Sequence, residues 1–126
     1  MPTKQHKILI VDDEPNILIT LRFLLEQAGH AVVEANNGKE ALTVAIREQP
    51  HIAILDVMMP ELDGFKLAAK IREDPALADV RIVFLTARGQ AKDLSEGYRS
   101  GGEVYLTKPF DNQQLITTIN ELITYG

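Results

Sequence analysis

Four short strand-like runs in this chain each lead into polar residues whose types suit metal and phosphate chemistry. The polar residues are Asp12 and Asp13 after the run 8–11, Asp56 after 52–55, Thr86 after 82–85 and Lys108 after 104–107. If these runs are parallel strands of one sheet, their polar ends meet at the edge where α/β proteins bind ligands. An edge that gathers three carboxylates, a hydroxyl and an ammonium suits a divalent cation and a phosphoryl group.

The elements that must position these residues follow from the alternation of apolar runs with segments of helical period. This alternation is typical of a parallel sheet with covering helices. We therefore predict an α/β fold: a doubly wound five-stranded parallel sheet, order 2-1-3-4-5, with five helices. In that order the first and third strands are adjacent, so Asp12 and Asp13 would lie next to Asp56. The predicted strands are Lys7–Val11, Ala31–Glu34, His51–Asp56, Arg81–Thr86 and Glu103–Leu106.

The five predicted helices rest on apolar residues at helical spacing. The first begins at Pro15, a favoured first-turn residue, and stops at Gly29, and the second ends before Pro50. Among the others, the fourth has the weakest pattern. The positions that mark the second to fifth helices are Ala41, Leu42, Ala45 and Ile46; Phe65, Leu67, Ala68 and Ile71; Leu94 and Tyr98; and Leu115, Ile116, Ile119, Leu122 and Ile123.

Length and composition narrow the class of protein. A chain of 126 residues fits one domain, so residues 1–126 are predicted to form a single unit. The net charge of -5 argues against direct nucleic-acid binding, which needs a basic face. The chain has no cysteine, and it has neither an apolar stretch of membrane-spanning length nor a signal-peptide pattern. We expect a soluble, cytoplasmic protein without membrane contact.

Three carboxylates at one sheet edge repel one another, and at least one takes up a proton unless a cation lies between them. Such oxygen ligands suit Mg²⁺, which keeps some waters and so leaves positions for phosphate oxygens. A neutralised aspartate can then act as a nucleophile and form an aspartyl phosphate. An ammonium such as Lys108 and a hydroxyl such as Thr86 would stabilise the charge of the phosphoryl group.

Taken together, these residues closely resemble the receiver domain of two-component response regulators, the CheY-like family. The resemblance covers about residues 6 to 124 in the correct order and spacing. Each motif is weak alone, but the set is highly specific. The motifs are Asp12-Asp13, Asp56, the loop Met58-Met59-Pro60-Glu61-Leu62-Asp63-Gly64, Thr86-Ala87 and Lys108-Pro109-Phe110.

The resemblance implies a role for each site residue. Asp56 would be the phosphoacceptor. Asp13, Asp56 and the backbone carbonyl of Met58 would ligate Mg²⁺ directly, while Asp12 would hold a water of the metal. Lys108 would pair with the acidic cluster or with the phosphoryl oxygens.

The resemblance also implies a switch. Thr86 would bond the phosphoryl group, and Tyr105 would turn inward when the threonine moves. The fourth helix, fifth strand and fifth helix would form the surface that partners contact, and the Lys108-Pro109 bond would be cis. The phosphoryl group would come from a histidine kinase or phosphotransfer protein, and the signal would pass to a downstream protein or a covalently linked effector. Such a domain is not an enzyme beyond assisting its own phosphorylation and autodephosphorylation.

Other interpretations remain open from the sequence. A haloacid-dehalogenase-type phosphatase would use Asp12 as its nucleophile, and the spacing Asp12-x-Glu14 imitates that motif loosely. A flavodoxin-like FMN binder would share the fold, although an acidic first loop would repel the phosphate of FMN. A pseudo-receiver would lack phosphorylation. The chain could be a stand-alone receiver or one cut from a larger regulator or hybrid histidine kinase, and its oligomeric state is open.

Several residues have plainer interpretations. The acidic run Asp12-Asp13-Glu14 could cap the first helix, and Asp63-Gly64 is expected to shape a loop only. Tyr105 is more often a half-buried strand aromatic than a switch. The three histidines, His6, His30 and His51, have no ligand spacing and are expected at the surface.

Overall fold

The computed structural model describes residues 6–59, 63–86, 104–108 and 110–125. They form a five-stranded parallel sheet in the order β2-β1-β3-β4-β5, which confirms the predicted topology. The strands are β1 Lys7–Val11, β2 Ala31–Ala35, β3 Ile52–Asp56, β4 Arg81–Thr86 and β5 Val104–Thr107. The helices in these ranges are α1 Pro15–Gln27, α2 Gly38–Glu48, α3 Gly64–Glu73, a short 3-10 turn Pro75–Leu77 and the C-terminal helix Asn112–Tyr125.

The predicted fourth helix, marked by Leu94 and Tyr98, lies outside the described residues, as does Pro109 of the predicted cis bond. Each predicted strand is present, with bounds within a residue or two of those expected.

Local sequence explains where three of the helices begin. Pro15 occupies the first turn of α1, where its missing N–H would have no helical partner. Asn37 precedes α2, and its side chain accepts a hydrogen bond from the backbone N–H of Glu40 at 2.8 Å. Asp63 does the same for α3, accepting from the N–H of Lys66 at 2.9 Å. These caps fix the points at which the chain turns away from the sheet edge.

The sheet separates two apolar layers. One face packs against α2 and α3, and its largest fully buried side chain is Phe84 of β4. The other face packs against α1 and the C-terminal helix, through residues such as Leu21 and Leu115. Because strands β1, β3 and β4 are covered on both faces, their sequences are continuously apolar rather than alternating. In the described part of the chain, no helix has the length and apolar character that a membrane span requires.

The three histidines were expected at the surface; His51 is exposed, His6 is half-buried and His30 is buried. His6, His30 and His51 lie just before β1, β2 and β3, and their rings form one cluster at the amino-terminal edge of the sheet. The ring centroid of His6 lies 6.0 Å from that of His30 and 5.1 Å from that of His51. The prediction is wrong for His30, which is 5% exposed, because the sheet register brings three sequence-distant residues together.

Candidate functional site

The carboxyl-terminal edge of the sheet holds the polar residues that follow its strands. Asp12 comes directly after β1, Asp56 ends β3, Thr86 ends β4 and Lys108 comes directly after β5. Parallel registry aligns these ends, since Val11 pairs with Leu55, Asp56 with Leu85 and Thr86 with Thr107. The expected gathering of sequence-distant polar groups at one edge is therefore present.

Three carboxylates form the centre of this edge. Asp12, Asp13 and Asp56 each offer an oxygen, and these three atoms lie within 4.8 Å of one another. Asp12 is fully buried and Asp56 is 2% exposed, whereas Asp13 is exposed to solvent. Two buried carboxylates and one at the mouth make an open, all-oxygen set of the kind that divalent cations favour.

Lys108 is the cation nearest these carboxylates among the described residues. Its Nζ lies 2.8 Å from Oδ2 of Asp12 and 3.4 Å from Oδ1 of Asp56, and 14% of the side chain is exposed. Burial lowers the pKa of Lys108, but its pairs with Asp12 and Asp56 outweigh burial, so the pKa is raised and the ammonium stays charged. Lys108 thus neutralises part of the cluster's charge.

The pKa of the Asp56 carboxyl shows that Lys108 compensates the buried negative charge only in part. Burial, and after it the charge of Asp12, raise the pKa of Asp56 to about 7, although Lys108 and the N–H of Met58 oppose the shift. One ammonium therefore does not fully compensate the buried carboxylates. This imbalance fits a site that holds a divalent cation.

Glu14 belongs to the same edge, although sequence reasoning treated it only as a capping residue or as part of a rival motif. Its backbone N–H donates to Oδ1 of Asp12 at 2.9 Å. Its carboxylate lies 3.5 Å from Nζ of Lys108, at the exposed mouth of the site. The position of Glu14 next to Asp12 and Asp13 could have indicated a site residue. Its contact with Lys108, 94 positions away, could not be predicted from sequence spacing.

The loop after β3 and the start of α3 contact both the side chain and the backbone of Asp56. The backbone N–H of Met58 donates to Oδ1 of Asp56 at 3.2 Å, while the Met58 side chain is 69% exposed. Gly64 lies so close that an added Cβ would be 2.5 Å from the carbonyl oxygen of Asp56. Sequence reasoning assigned Asp63-Gly64 a loop-shaping role only and missed that glycine is required here by close approach of two backbones.

Thr86 and Tyr105 lie on the neighbouring strands β4 and β5. Thr86 is 2% exposed, and its carbonyl oxygen accepts a hydrogen bond from the N–H of Lys108 at 2.7 Å. Tyr105 is half-buried, and its ring stacks on that of Phe84 with centroids 5.4 Å apart. The two residues predicted to form a switch therefore lie on neighbouring, hydrogen-bonded strands.

Comparison with known proteins finds relatives over nearly the whole chain. Residues 8–120 match the family model described as response regulator receiver domain. The chain is 38% identical over 117 residues to the DNA-binding dual master transcriptional regulator RpaA of Synechocystis sp., covering 93% of this chain and 48% of the regulator. It is 36% identical over 117 residues to protein PilH of Pseudomonas aeruginosa, covering 93% of this chain and 97% of PilH. The chain spans about half the length of the first relative.

The fold is similar to that of solved receiver domains. One is the receiver domain of the sensor histidine kinase PA1611 from Pseudomonas aeruginosa, with a TM-score of 0.88 and 27% identity over 96% of this chain and 99% of that one. Its crystal structure has a magnesium ion coordinated in the active site cleft. The sequence match, the strand order and the acidic edge lead to one conclusion: the chain belongs to the family of response regulator receiver domains.

Proposed function

We propose that this domain accepts a phosphoryl group on Asp56 in the presence of Mg²⁺ and so acts as a switch in a two-component phosphorelay. Receiver domains of response regulators are signalling modules of such systems and are generally not classed as enzymes. The observation that carries the proposal is that the buried Asp56 carboxyl lies close to a second buried carboxylate, that of Asp12, and to the ammonium of Lys108, which contacts both. The negative charge of these carboxylates is only partly compensated by the ammonium of Lys108, as is common in functional sites.

The residues of the acidic edge fit Mg²⁺. Receiver domains bind this ion in an acidic pocket, and the donor set here is all oxygen. We assign Asp13, Asp56 and the Met58 backbone carbonyl as direct ligands, with Asp12 holding a water of the metal. When bound, the ion would offset the repulsion among the carboxylates and favour an incoming anionic phosphoryl group.

Asp56 is a better phosphoacceptor than Asp12 because the oxygens of Asp12 are already engaged. Oδ1 of Asp12 accepts the N–H of Glu14, and Oδ2 pairs with Lys108 at 2.8 Å. The ammonium of Lys108 lies farther from Asp56, 3.4 Å from its Oδ1. This contrast disfavours the haloacid-dehalogenase alternative, in which Asp12 would be the nucleophile.

The proposed step is a direct transfer. An oxygen of Asp56 attacks phosphorus, the P–N bond of a phosphohistidine donor breaks, and the electron pair stays on the donor imidazole, which takes a proton from solvent. Lys108 would pair with the developing charge on the phosphoryl oxygens, and Thr86 would donate its hydroxyl to them. Later attack by water on the aspartyl phosphate would release inorganic phosphate and restore Asp56.

The phosphoryl group adds about -1.5 to -2 charge to the site near neutral pH. We infer that this draws Thr86 inward, lets Tyr105 move, and changes the surface made by β5 and the C-terminal helix.

Receiver domains interact with histidine kinases and with effector domains. We propose a histidine kinase or phosphotransfer protein as donor, a downstream protein or linked effector as target, and residues 1–126 as one receiver domain without direct nucleic-acid contact.

The test is phosphorylation by acetyl phosphate with Mg²⁺, followed by intact mass and mobility shift. The wild-type domain should gain one phosphoryl group, and Asp56→Asn should gain none. Asp79→Asn, in the loop before β4 at the opposite edge, serves as a matched control and should label like wild type.

The same experiment separates the alternatives. Labelling that survives in Asp56→Asn but disappears in Asp12→Asn would favour the haloacid-dehalogenase interpretation and overturn the proposal. A folded wild-type domain that takes up neither acetyl phosphate nor beryllofluoride would favour a pseudo-receiver. Omitting Mg²⁺ should abolish uptake by the wild type.

A further inference from the structure

Three aromatic rings form a continuous row on one face of the sheet. The ring of Phe84, on β4, stacks on that of Tyr105, on β5, with centroids 5.4 Å apart and planes at 28°. The ring of Phe84 also meets that of Phe65, the second residue of α3, edge to face at 4.8 Å and 70°. Phe84 is fully buried and Phe65 is 5% exposed, whereas Tyr105 is half-buried. The row therefore leads from the core to a residue near the surface.

The buried end of this row reaches the backbone of Asp56. Gly64 immediately precedes Phe65, and its N–H donates to the carbonyl of Val57 at 3.2 Å. An added Cβ on Gly64 would lie 2.5 Å from the carbonyl oxygen of Asp56, so the two backbones are in direct contact. A shift of the Asp56-Val57 peptide would displace Gly64 and with it the ring of Phe65.

We propose that Phe84 is a positioning residue that holds Tyr105 in its half-buried position and couples it to the β3–α3 loop. This path is separate from the one through Thr86, which is two residues beyond Phe84 on the same strand. The link to phosphorylation rests on the proposed function of Asp56, but the dependence of Tyr105 on Phe84 does not.

The physical basis is the stacked contact. Neighbouring rings gain from stacking beyond their buried area, and this gain is lost when one ring is replaced by an aliphatic side chain. Since Phe84 and Tyr105 are direct partners in the β4–β5 register, the strands keep the rings opposite each other. Replacing Phe84 by leucine would leave the core apolar but would favour other positions of the Tyr105 ring.

The test uses the domain labelled with 3-fluorotyrosine and observed by fluorine NMR. The chain has three tyrosines, Tyr98, Tyr105 and Tyr125, and Tyr105→Phe identifies the signal in question. Without any ligand, Phe84→Leu should move the Tyr105 signal more than those of the other two tyrosines.

Two further variants separate coupling from loss of core packing. Phe65→Leu should also move the Tyr105 signal, because the ring of Phe65 contacts that of Phe84. Ile71→Val, a change at a fully buried residue of α3 in the same apolar layer, should leave the signal in place. An unmoved Tyr105 signal in Phe84→Leu, or an equal shift in Ile71→Val, would overturn the proposal.

Titration with beryllofluoride and Mg²⁺ then tests the coupling. Because stacking favours the resting position of Tyr105, Phe84→Leu should lower the beryllofluoride concentration for half-conversion of its signal by about two- to tenfold. An unchanged or higher concentration would contradict the coupling. Failure of the wild type to bind beryllofluoride would count against the phosphoacceptor site alone, since the ligand-free spectra still decide the role of Phe84.

Discussion

At the scale of single residues, Lys108 determines how much negative charge the acidic edge presents. Its ammonium lies within 3.5 Å of oxygens from Asp12, Asp56 and Glu14, so it faces three carboxylates at once. A divalent cation and Lys108 therefore compensate the same charges, and each weakens the other's attraction. The same ammonium is needed when the phosphoryl group arrives, because that group adds negative charge.

Replacing Lys108 by glutamine should separate these two effects. We expect Mg²⁺ to bind roughly tenfold more tightly, because a competing positive charge is removed, and phosphorylation by acetyl phosphate to slow by roughly tenfold or more. Calorimetry and NMR titration measure the first, and mass spectrometry over time the second. Lys7→Gln, which removes an ammonium paired with Glu48 at 3.0 Å, is the control and should change neither. Weaker Mg²⁺ binding by Lys108→Gln would contradict this charge balance.

At the scale of elements, the sequence was sufficient for the strands and their order but not for contacts between loops. Continuous apolar runs predict buried parallel strands, and the polar residues after them could be placed at one edge from topology alone. The contacts of Glu14 with Lys108, of Gly64 with Asp56 and of Phe84 with Tyr105 could not, because they depend on loop paths and side-chain directions. The roles of the site residues remain predictions.

The β3–α3 connection is the element on which Asp56 rests, and Gly64→Ala should disturb it. The new Cβ would press on the Asp56 carbonyl, which must shift, so we expect a loss of about 1–3 kcal/mol in unfolding free energy and a clear loss of phosphorylation rate. Denaturant unfolding and acetyl phosphate labelling measure the two effects.

Gly29→Ala is the matched control for this change. Gly29 has a φ of 96°, so alanine there is strained by about 1–2 kcal/mol, but an added Cβ would meet nothing within 4 Å. Gly29 follows α1 before β2, at the edge opposite the acidic site. The control should therefore lose stability and keep its phosphorylation rate. Equal loss of rate in both variants would mean that stability, not the position of Asp56, limits the reaction.

At the scale of the whole molecule, the carboxyl-terminal and amino-terminal edges of the sheet carry different titratable groups. The carboxyl-terminal edge holds the carboxylates and Lys108, while the amino-terminal edge holds all three histidines of the chain. Within the described parts of the chain, both ring nitrogens of His30 and Nδ1 of His6 are buried and have no hydrogen-bond partner. Acid should therefore act on the fold at an edge that is remote from the proposed phosphorylation site.

The change His30→Leu tests this remote effect of pH. Burial lowers the pKa of His30 below its ordinary value of 6.5, and the neighbouring His6 lowers it further. The unfolded chain therefore binds a proton at His30 more readily, so the native state loses stability as pH falls through about 6.5 toward the lower folded pKa. Leucine cannot bind a proton and fits a buried site without unpaired nitrogens.

Urea unfolding at about pH 8 and about pH 5.5 measures this difference. The wild type should lose more stability between the two values than His30→Leu, and the variant should be at least as stable as wild type at the lower pH. The carboxylates common to both proteins also titrate in acid, but they cancel in the comparison because only residue 30 differs. Equal losses in the two proteins would mean that the pKa of His30 is the same in the folded and the unfolded chain, so that its protonation does not change the free energy of unfolding. In that case the acid sensitivity of the fold would belong to the carboxylate edge instead.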